Sequence, residues 1–463
     1  MGSDASAVHR TAVLVAVVMS AFLTPFVGSS VNVALPAIGQ EFHMSAVALS
    51  WVATAFLLSA AALLVPVGRL ADIYGRRRLF LWGVLVHTVA SLASVVAPFG
   101  GVLIGLRALQ GLGSALIFAT GIAILTSVFP GPERGRALGY HVASVYTGLA
   151  VGPLVGGLLT QVWGWRAIFL APIPVGLGAA ALIGWRLRDD WTEAPGEPFD
   201  VFGALLYAGS LTAFMYGLSR LPGTDGVGIV LLGLSGLAAF GLWESQNASP
   251  LLDVRLLGAN RAFLFSNLAA LIHYTATFAV VFLMSLYLQG VKGLPPAYAG
   301  ALLVTQPVLQ ALFSPWAGRL SDRVAPGVIA SVGMSLSAAG LFLLAWLGPT
   351  TPMAWVLSGL GLLGSGFGLF SAPNTNAIMQ AVERRHYGVA SGTLGTMRLV
   401  GQALSMGVVT LLLALYMGPA RLSPEHVPHF MEALRSAFLV FTGLCILGIG
   451  VSLARGGKGR WAG

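Results

Sequence analysis

From residue 11 onward the chain alternates long apolar runs with short polar or Pro/Gly-rich breaks. Runs such as Thr11–Pro36, Leu79–Ala97 and Phe263–Leu288 are long enough to cross a hydrocarbon core of about 30 Å, which takes roughly 20 apolar residues in a helix. Reading the runs between their punctuation predicts fourteen spans: 11–36, 46–70, 79–97, 101–129, 136–162, 166–186, 201–219, 226–243, 262–289, 297–319, 326–347, 352–378, 387–417 and 433–454. The first run is too long for the 7–15-residue apolar region of a cleaved signal peptide and is expected to be retained as a span.

Composition removes the soluble alternatives. The chain is 56% hydrophobic and 9% charged, where a soluble domain carries roughly a quarter charged residues. A net charge of +9 reads here as loop charge orienting the protein against an anionic leaflet, not as a nucleic-acid footprint. Cys445 is the one cysteine, so no disulfide framework and no Cys-based metal site is expected.

Basic residues then set the topology. With a cytoplasmic N-terminus, eighteen of the 25 Lys and Arg lie in inside segments. Five (Arg166, Arg220, Lys292, Arg421 and Arg435) fall outside, and Arg107 and Arg398 fall within spans. Both ends are therefore expected in the cytoplasm of a bacterial-type inner membrane.

A repeat divides the chain. Gly68-Arg-Leu-Ala-Asp72 closes the second span and Gly318-Arg-Leu-Ser-Asp322 closes the tenth, at equivalent places in the topology. This predicts a six-helix bundle over 1–188, a polar linker at 189–200, two inserted helices over 201–245, a second linker at 246–261 and a second six-helix bundle over 262–463. Parallel halves of this kind carry a solute site at their interface near the midplane and work by rocking.

Three motifs carry a family resemblance. Gly68-Arg-Leu-Ala-Asp72-Ile-Tyr-Gly75-Arg76-Arg77-Arg78 forms a basic turn whose glycines allow a tight bend. Arg107-Ala-Leu-Gln110-Gly111-Leu-Gly113 places a cation inside the membrane, at a cost of about +2.5 to +3.5 kcal/mol on insertion scales. Gly148-Leu-Ala-Val-Gly152-Pro153-Leu-Val-Gly156-Gly157 combines glycines that let backbones touch with a proline that removes a helix hydrogen bond. A plain small-residue packing face is an equal reading of that stretch. Together with Val31-Asn32-Val33-Ala34-Leu35-Pro36, these resemble the major facilitator superfamily, and within it the fourteen-span drug:proton antiporter branch. The resemblance implies the major facilitator fold and gating by Gly68, Asp72, Gly75, Arg76 and Arg77, with Asp72 locking the cytoplasmic side. It also implies gating by Gly148, Gly152, Pro153, Gly156 and Gly157, with export by alternating access.

One departure changes the chemistry. Where that branch carries an acidic residue five positions before the asparagine, this chain has Val27, and all 16 acidic residues fall in predicted loops or at span ends. A histidine is then the candidate proton carrier, because its ordinary pKa of about 6.5 is near neutrality. His273, about 16 Å into its span by helix rise, is the proton-coupling candidate, with a packing histidine as the bland alternative. Arg107 and Arg398 place a buried cation in each half, and Asn32, Gln110, Tyr274, Gln306 and Gln310 are further polar groups within the spans. With His273 these form the candidate substrate-binding set, although the amides could instead serve to satisfy the arginines. No phosphate-binding loop, metal spacing or partnered nucleophile is present, so no cofactor and no enzymatic activity is expected.

The sequence thus predicts a monomeric secondary exporter of amphipathic small molecules or lipid-like compounds, with proton coupling implied by the resemblance. The rivals are a facilitator or exchanger of an anionic metabolite that is not proton-driven, and a transporter-like receptor that does not translocate.

Overall fold

The computed structural model describes residues 2–129, 131–187, 190–192, 196–247, 250–251, 260–321, 323–382, 387–420 and 423–455. Within them lie fourteen helices long and apolar enough to cross a membrane, and no strand. They are α1 (Arg10–Glu41), α2 (Ala46–Tyr74), α3 (Arg76–Val95), α4 (Gly100–Val128), α5 (Arg136–Trp163), α6 (Ala167–Arg186), α7 (Val201–Arg220), α8 (Thr224–Gln246), α9 (Arg261–Val291), α10 (Pro296–Leu320), α11 (Pro326–Leu344), α12 (Met353–Gln380), α13 (Val389–Met417) and α14 (Pro424–Leu453). The apolar runs expected from sequence correspond to these one for one.

Helix boundaries follow local chemistry. Gly75 separates α2 from α3 with φ of 112°, a left-handed conformation that glycine adopts without steric cost. Asn260 caps α9 by accepting a hydrogen bond from Phe263 N at 3.0 Å, and its amide donates to Ala381 O. Three helices are broken inside predicted spans, two of them beside prolines, Pro172 and Pro174 in α6 and Pro307 in α10. α6 is interrupted between Leu170 and Ile173, α9 turns at Phe278–Ala279 and ends in a π-helical turn over Tyr287–Val291, and α10 pauses at Val304.

The chain divides into two compact units. The first holds Met1–Met44, Ala48–Thr212 and Leu294–Ala301, and the second holds Ser45–Val47, Ala213–Gly293 and Leu302–Gly463. In the first, α1 packs along α5 and α6, and α3 along α4. In the second, the same pairings recur eight helices later, α9 with α13 and α14, and α11 with α12. Glycines set the close approaches in both copies: a Cβ on Gly83 would meet Gly113 O at 3.0 Å, and one on Gly333 would meet Gly366 O at 2.6 Å. The two repeat strings behave alike as well, with Gly68 facing Ala119 on α4 and Gly318 facing Ala372 on α12. Asp322, the last residue of the second string, lies outside the described residues.

Each unit has its own apolar core. In the first, Val13, Val17, Phe80, Ile117, Ile124 and Ile183 are buried together, with Trp191 packed against them. In the second, Ala269, Ala270, Tyr274, Met334, Phe367 and Phe370 form the cluster.

Candidate functional site

The basic turn between α2 and α3 is built around carboxylates. Asp72 Oδ1 accepts from both Nε and Nη2 of Arg76, at 3.0 and 2.8 Å, and Arg76 Nη1 donates to Ser127 on α4 at 3.1 Å. The segment after α6 completes the turn. Arg77 N donates to Asp190 Oδ1 at 3.0 Å, Arg78 pairs with Asp190 at 3.1 Å, Arg76 N donates to Trp191 O at 3.0 Å, and Arg69 pairs with Glu197. A Cβ on Gly75 would collide with the Asp190 carboxylate, so glycine is required there for space as well as for φ. Asp190 and Glu197 of the expected linker are thus counter-charges for the motif, a pairing that sequence spacing did not reveal.

The glycine motif of α5 lies on two neighbours. Toward α1, a Cβ on Gly148 would meet Phe22 O at 2.8 Å, one on Gly152 would meet Phe26 O at 3.0 Å, and one on Gly156 would meet Ser30 Cα at 2.7 Å. Ser29 and Ser30 return hydrogen bonds to Gly148 O and Gly152 O, at 3.2 and 2.9 Å. Toward the first turns of α10, Gly157 faces Pro296 O and Gly300 faces Pro153 O. α5 runs as one helix through Pro153.

The two membrane-embedded arginines have opposite surroundings. Arg107 is 1% exposed and held by protein groups: Nε donates to Val52 O at 3.1 Å, Nη1 donates to Gln110 Oε1 at 2.6 Å, and the guanidinium lies 4.4 Å from the Phe56 ring centre. Gln110 Nε2 donates to Ser91 Oγ, which donates to His87 O. This network pins α2, α3 and α4 together. Arg398 on α13 is half-buried, and its guanidinium lies 5.6 Å from the Tyr274 ring centre. It has neither a carboxylate within ion-pair reach nor a hydrogen-bond acceptor among the described residues. Gly401, one turn along, lets α13 approach α9 at Leu271 O and Tyr274.

His273 is fully buried between rings, 4.0 Å from Phe370, 5.0 Å from Phe367 and 6.4 Å from Tyr274. Neither of its ring nitrogens has a hydrogen-bond partner among the described residues. The same stretch of α12 turns Gly364 and Gly368 toward the backbone of Gln306 and Gln310 on α10. Both glutamines are buried, and Gln306 Oε1 is unpaired. The second unit therefore gathers His273, Tyr274 and Arg398, with Gln306 and Gln310 on the other flank of α12. The first unit pairs Arg107 with Gln110 and holds Asn32 buried on α1, its Oδ1 unpaired. Val27 is fully buried and apolar, and no described group forms a metal-ligating cluster.

Comparison with known proteins agrees with this architecture. The chain is 32% identical over 411 residues to the multidrug resistance protein Stp of Mycobacterium tuberculosis (strain CDC 1551 / Oshkosh), covering 87% of this chain and 75% of that one. It is 28% identical over 440 residues to the riboflavin transporter RibZ of Clostridioides difficile (strain 630), covering 94% and 95%. Its fold matches an inward-facing, unoccupied crystal structure of a bacterial homolog of the human lysosomal transporter Spinster, with a TM-score of 0.69 at 18% identity over 96% of this chain and 97% of that one. The family model described as Major Facilitator Superfamily matches residues 17–406 and 268–456, and the chain belongs to that superfamily as a multi-pass membrane transporter, not an enzyme.

Proposed function

We propose that this transporter is a secondary exporter of amphipathic small molecules, that it cycles by alternating access, and that its preferred cargo is acidic or rich in π-electrons. The carrying observation is Arg398. A cation inside a span is costly unless it is paired or serves a ligand, and Arg398 has Tyr274 beneath it and no acceptor among the described residues. Arg107, by contrast, is held by Val52, Gln110 and Phe56 and acts as a scaffold for the first unit. Export, not import, is favoured by similarity to a multidrug resistance protein. Asp72, Arg76 and Arg77, with the α5 glycines, are assigned to the gating movement. His273 is assigned any proton coupling, because Val27 replaces the carboxylate of the related branch. Both termini are placed in the cytoplasm, and the monomer is taken as the working unit.

Flux in proteoliposomes tests the reading. Fluorescent amphiphiles of opposite charge, and riboflavin as a flat neutral ring suggested by the RibZ relative, are followed with and without a pH gradient. The expected result is faster movement of the anionic or flat cargo than of the cationic one, with net movement set by the gradient. Flux indifferent to the gradient identifies a facilitator or exchanger instead, and binding with no downhill flux identifies a receptor.

A further inference from the structure

Just beyond the end of α14 the chain buries a second kind of arginine. Arg455 is 9% exposed, and of its guanidinium only Nη2 is engaged, donating to Asn374 Oδ1 at 2.5 Å. Nε and Nη1 are buried with no acceptor among the described residues, which leaves three N–H bonds without a described partner. Burial pushes its pKa down to about 10, so the group stays charged at neutral pH. Arg455 makes no ion pair with any described residue. A buried charge without a counter-charge costs several kcal/mol, and a hydrogen-bonding group left unpaired costs more again.

The surroundings of Arg455 point to what completes it. Its side chain runs past the first turn of α11, where a Cβ built on Gly327 would lie 3.8 Å from Arg455 Cδ. That helix begins at Pro326, which carries no N–H, after Ala325, whose methyl side chain cannot cap it; the Val328 N–H is taken by Ala325 O at 3.0 Å, so the first turn offers the Gly327 N–H beside Arg455. Helix N-termini carry a partial positive charge and free N–H donors that favour anions. Ser331 and Ser452 tie the two helices together here, Ser331 Oγ donating to Ser452 Oγ at 2.9 Å and Ser452 Oγ also lying 3.2 Å from Gly327 O. Asn374 is held in turn, its Nδ2 donating to Ser266 O at 3.2 Å on α9. The guanidinium is therefore positioned by α9, α11, α12 and α14, with donors in excess and no acceptor among the described residues to receive them.

We propose that Arg455 and the N-terminus of α11 form a binding site for a phosphate-type oxyanion, supplied either by an anionic lipid headgroup or by free phosphate. Bound there, the anion ties the end of α14 to the start of α11 and to Asn374 of α12. The site is independent of the cargo and of the Arg398 region, so it stands or falls apart from the transport reading.

The test uses the purified full-length protein in neutral detergent. Inorganic phosphate is titrated at constant ionic strength against chloride, and nanodiscs of phosphatidylglycerol are compared with nanodiscs of phosphatidylcholine, with the thermal unfolding midpoint as readout. Phosphate alone is expected to raise the midpoint if the source is soluble, and phosphatidylglycerol alone if it is a lipid. In Arg455→Gln the apparent affinity for the effective anion should fall about ten- to hundredfold, as expected for losing a charge-assisted contact. Asn374→Asp supplies a carboxylate from within the chain. It should raise the midpoint without added anion and abolish the response to one, a result available even if Arg455→Gln folds poorly. The proposal is overturned if neither anion raises the midpoint, or if Asn374→Asp leaves the response intact.

Discussion

Arg398 and Arg107 look equivalent as residues, each a lone cation inside a helix, and their surroundings give them different consequences. Arg398→Ala should weaken an anionic or flat aromatic ligand while leaving the thermal midpoint of the unliganded protein near that of the parent, because no protein acceptor is abandoned. Ligand titration and thermal unfolding on the same preparations check both halves of this expectation. Arg107→Ala should do the reverse. It strands Gln110 Oε1 in a dry interior, at about 1–3 kcal/mol for an unsatisfied group, while Val52 O keeps its partner within α2, so the midpoint should drop with or without ligand. His273→Gln tests proton coupling. If the imidazole carries the proton, the dependence of flux on the pH gradient should vanish while downhill exchange survives, and unchanged gradient dependence would remove His273 from that role. The sequence alone marked each of these as a polar group inside a span but could not separate their roles. Their difference lies in partners from other helices, Val52 and Phe56 for Arg107 and Tyr274 for Arg398, whose positions no local spacing encodes.

At the scale of helices, apolar length made the spans legible, since a bilayer accepts little else of that size. The break within α9 was not legible, because an apolar run reads the same whether its helix is continuous or turned, whereas those in α6 and α10 lie beside Pro172, Pro174 and Pro307, which mark them without fixing how the helix resumes. The repeat string at Gly68 and Gly318 anticipated a deeper regularity, the recurrence of α1–α5 and α3–α4 packing as α9–α13 and α11–α12. Within that pattern the glycines of α5 have two duties that the motif itself did not distinguish. Gly148, Gly152 and Gly156 seat α5 on α1, whereas Gly157 seats it on the start of α10. Gly157→Val should therefore slow transport through loss of the α10 contact and leave the α1 seam intact. Turnover in vesicles together with cross-linking between cysteines placed on α1 and α5 would check this, and normal turnover would confine Gly157 to packing.

For the molecule as a whole, the buried Val27 at the position where the related branch carries an acid is the clearest departure from that branch. Val27→Asp places a titratable group on α1 and should create or strengthen pH-dependent movement of cationic amphiphiles. Cation flux that ignores pH would show that the rest of the machinery for that coupling is missing. Fold class and family were readable from hydropathy and motifs, but the cargo was not, because specificity depends on side chains brought together from distant parts of the chain. The contacts of Asp190, Trp191 and Glu197 with the turn after α2 bear on how the protein can be dissected. A split version, with its halves expressed as separate polypeptides and reassembled, should be severed beyond Asp200 and not directly after Leu187. The earlier cut would carry off the carboxylates that neutralise Arg69 and Arg78 and leave the N-terminal fragment with its most basic corner bare.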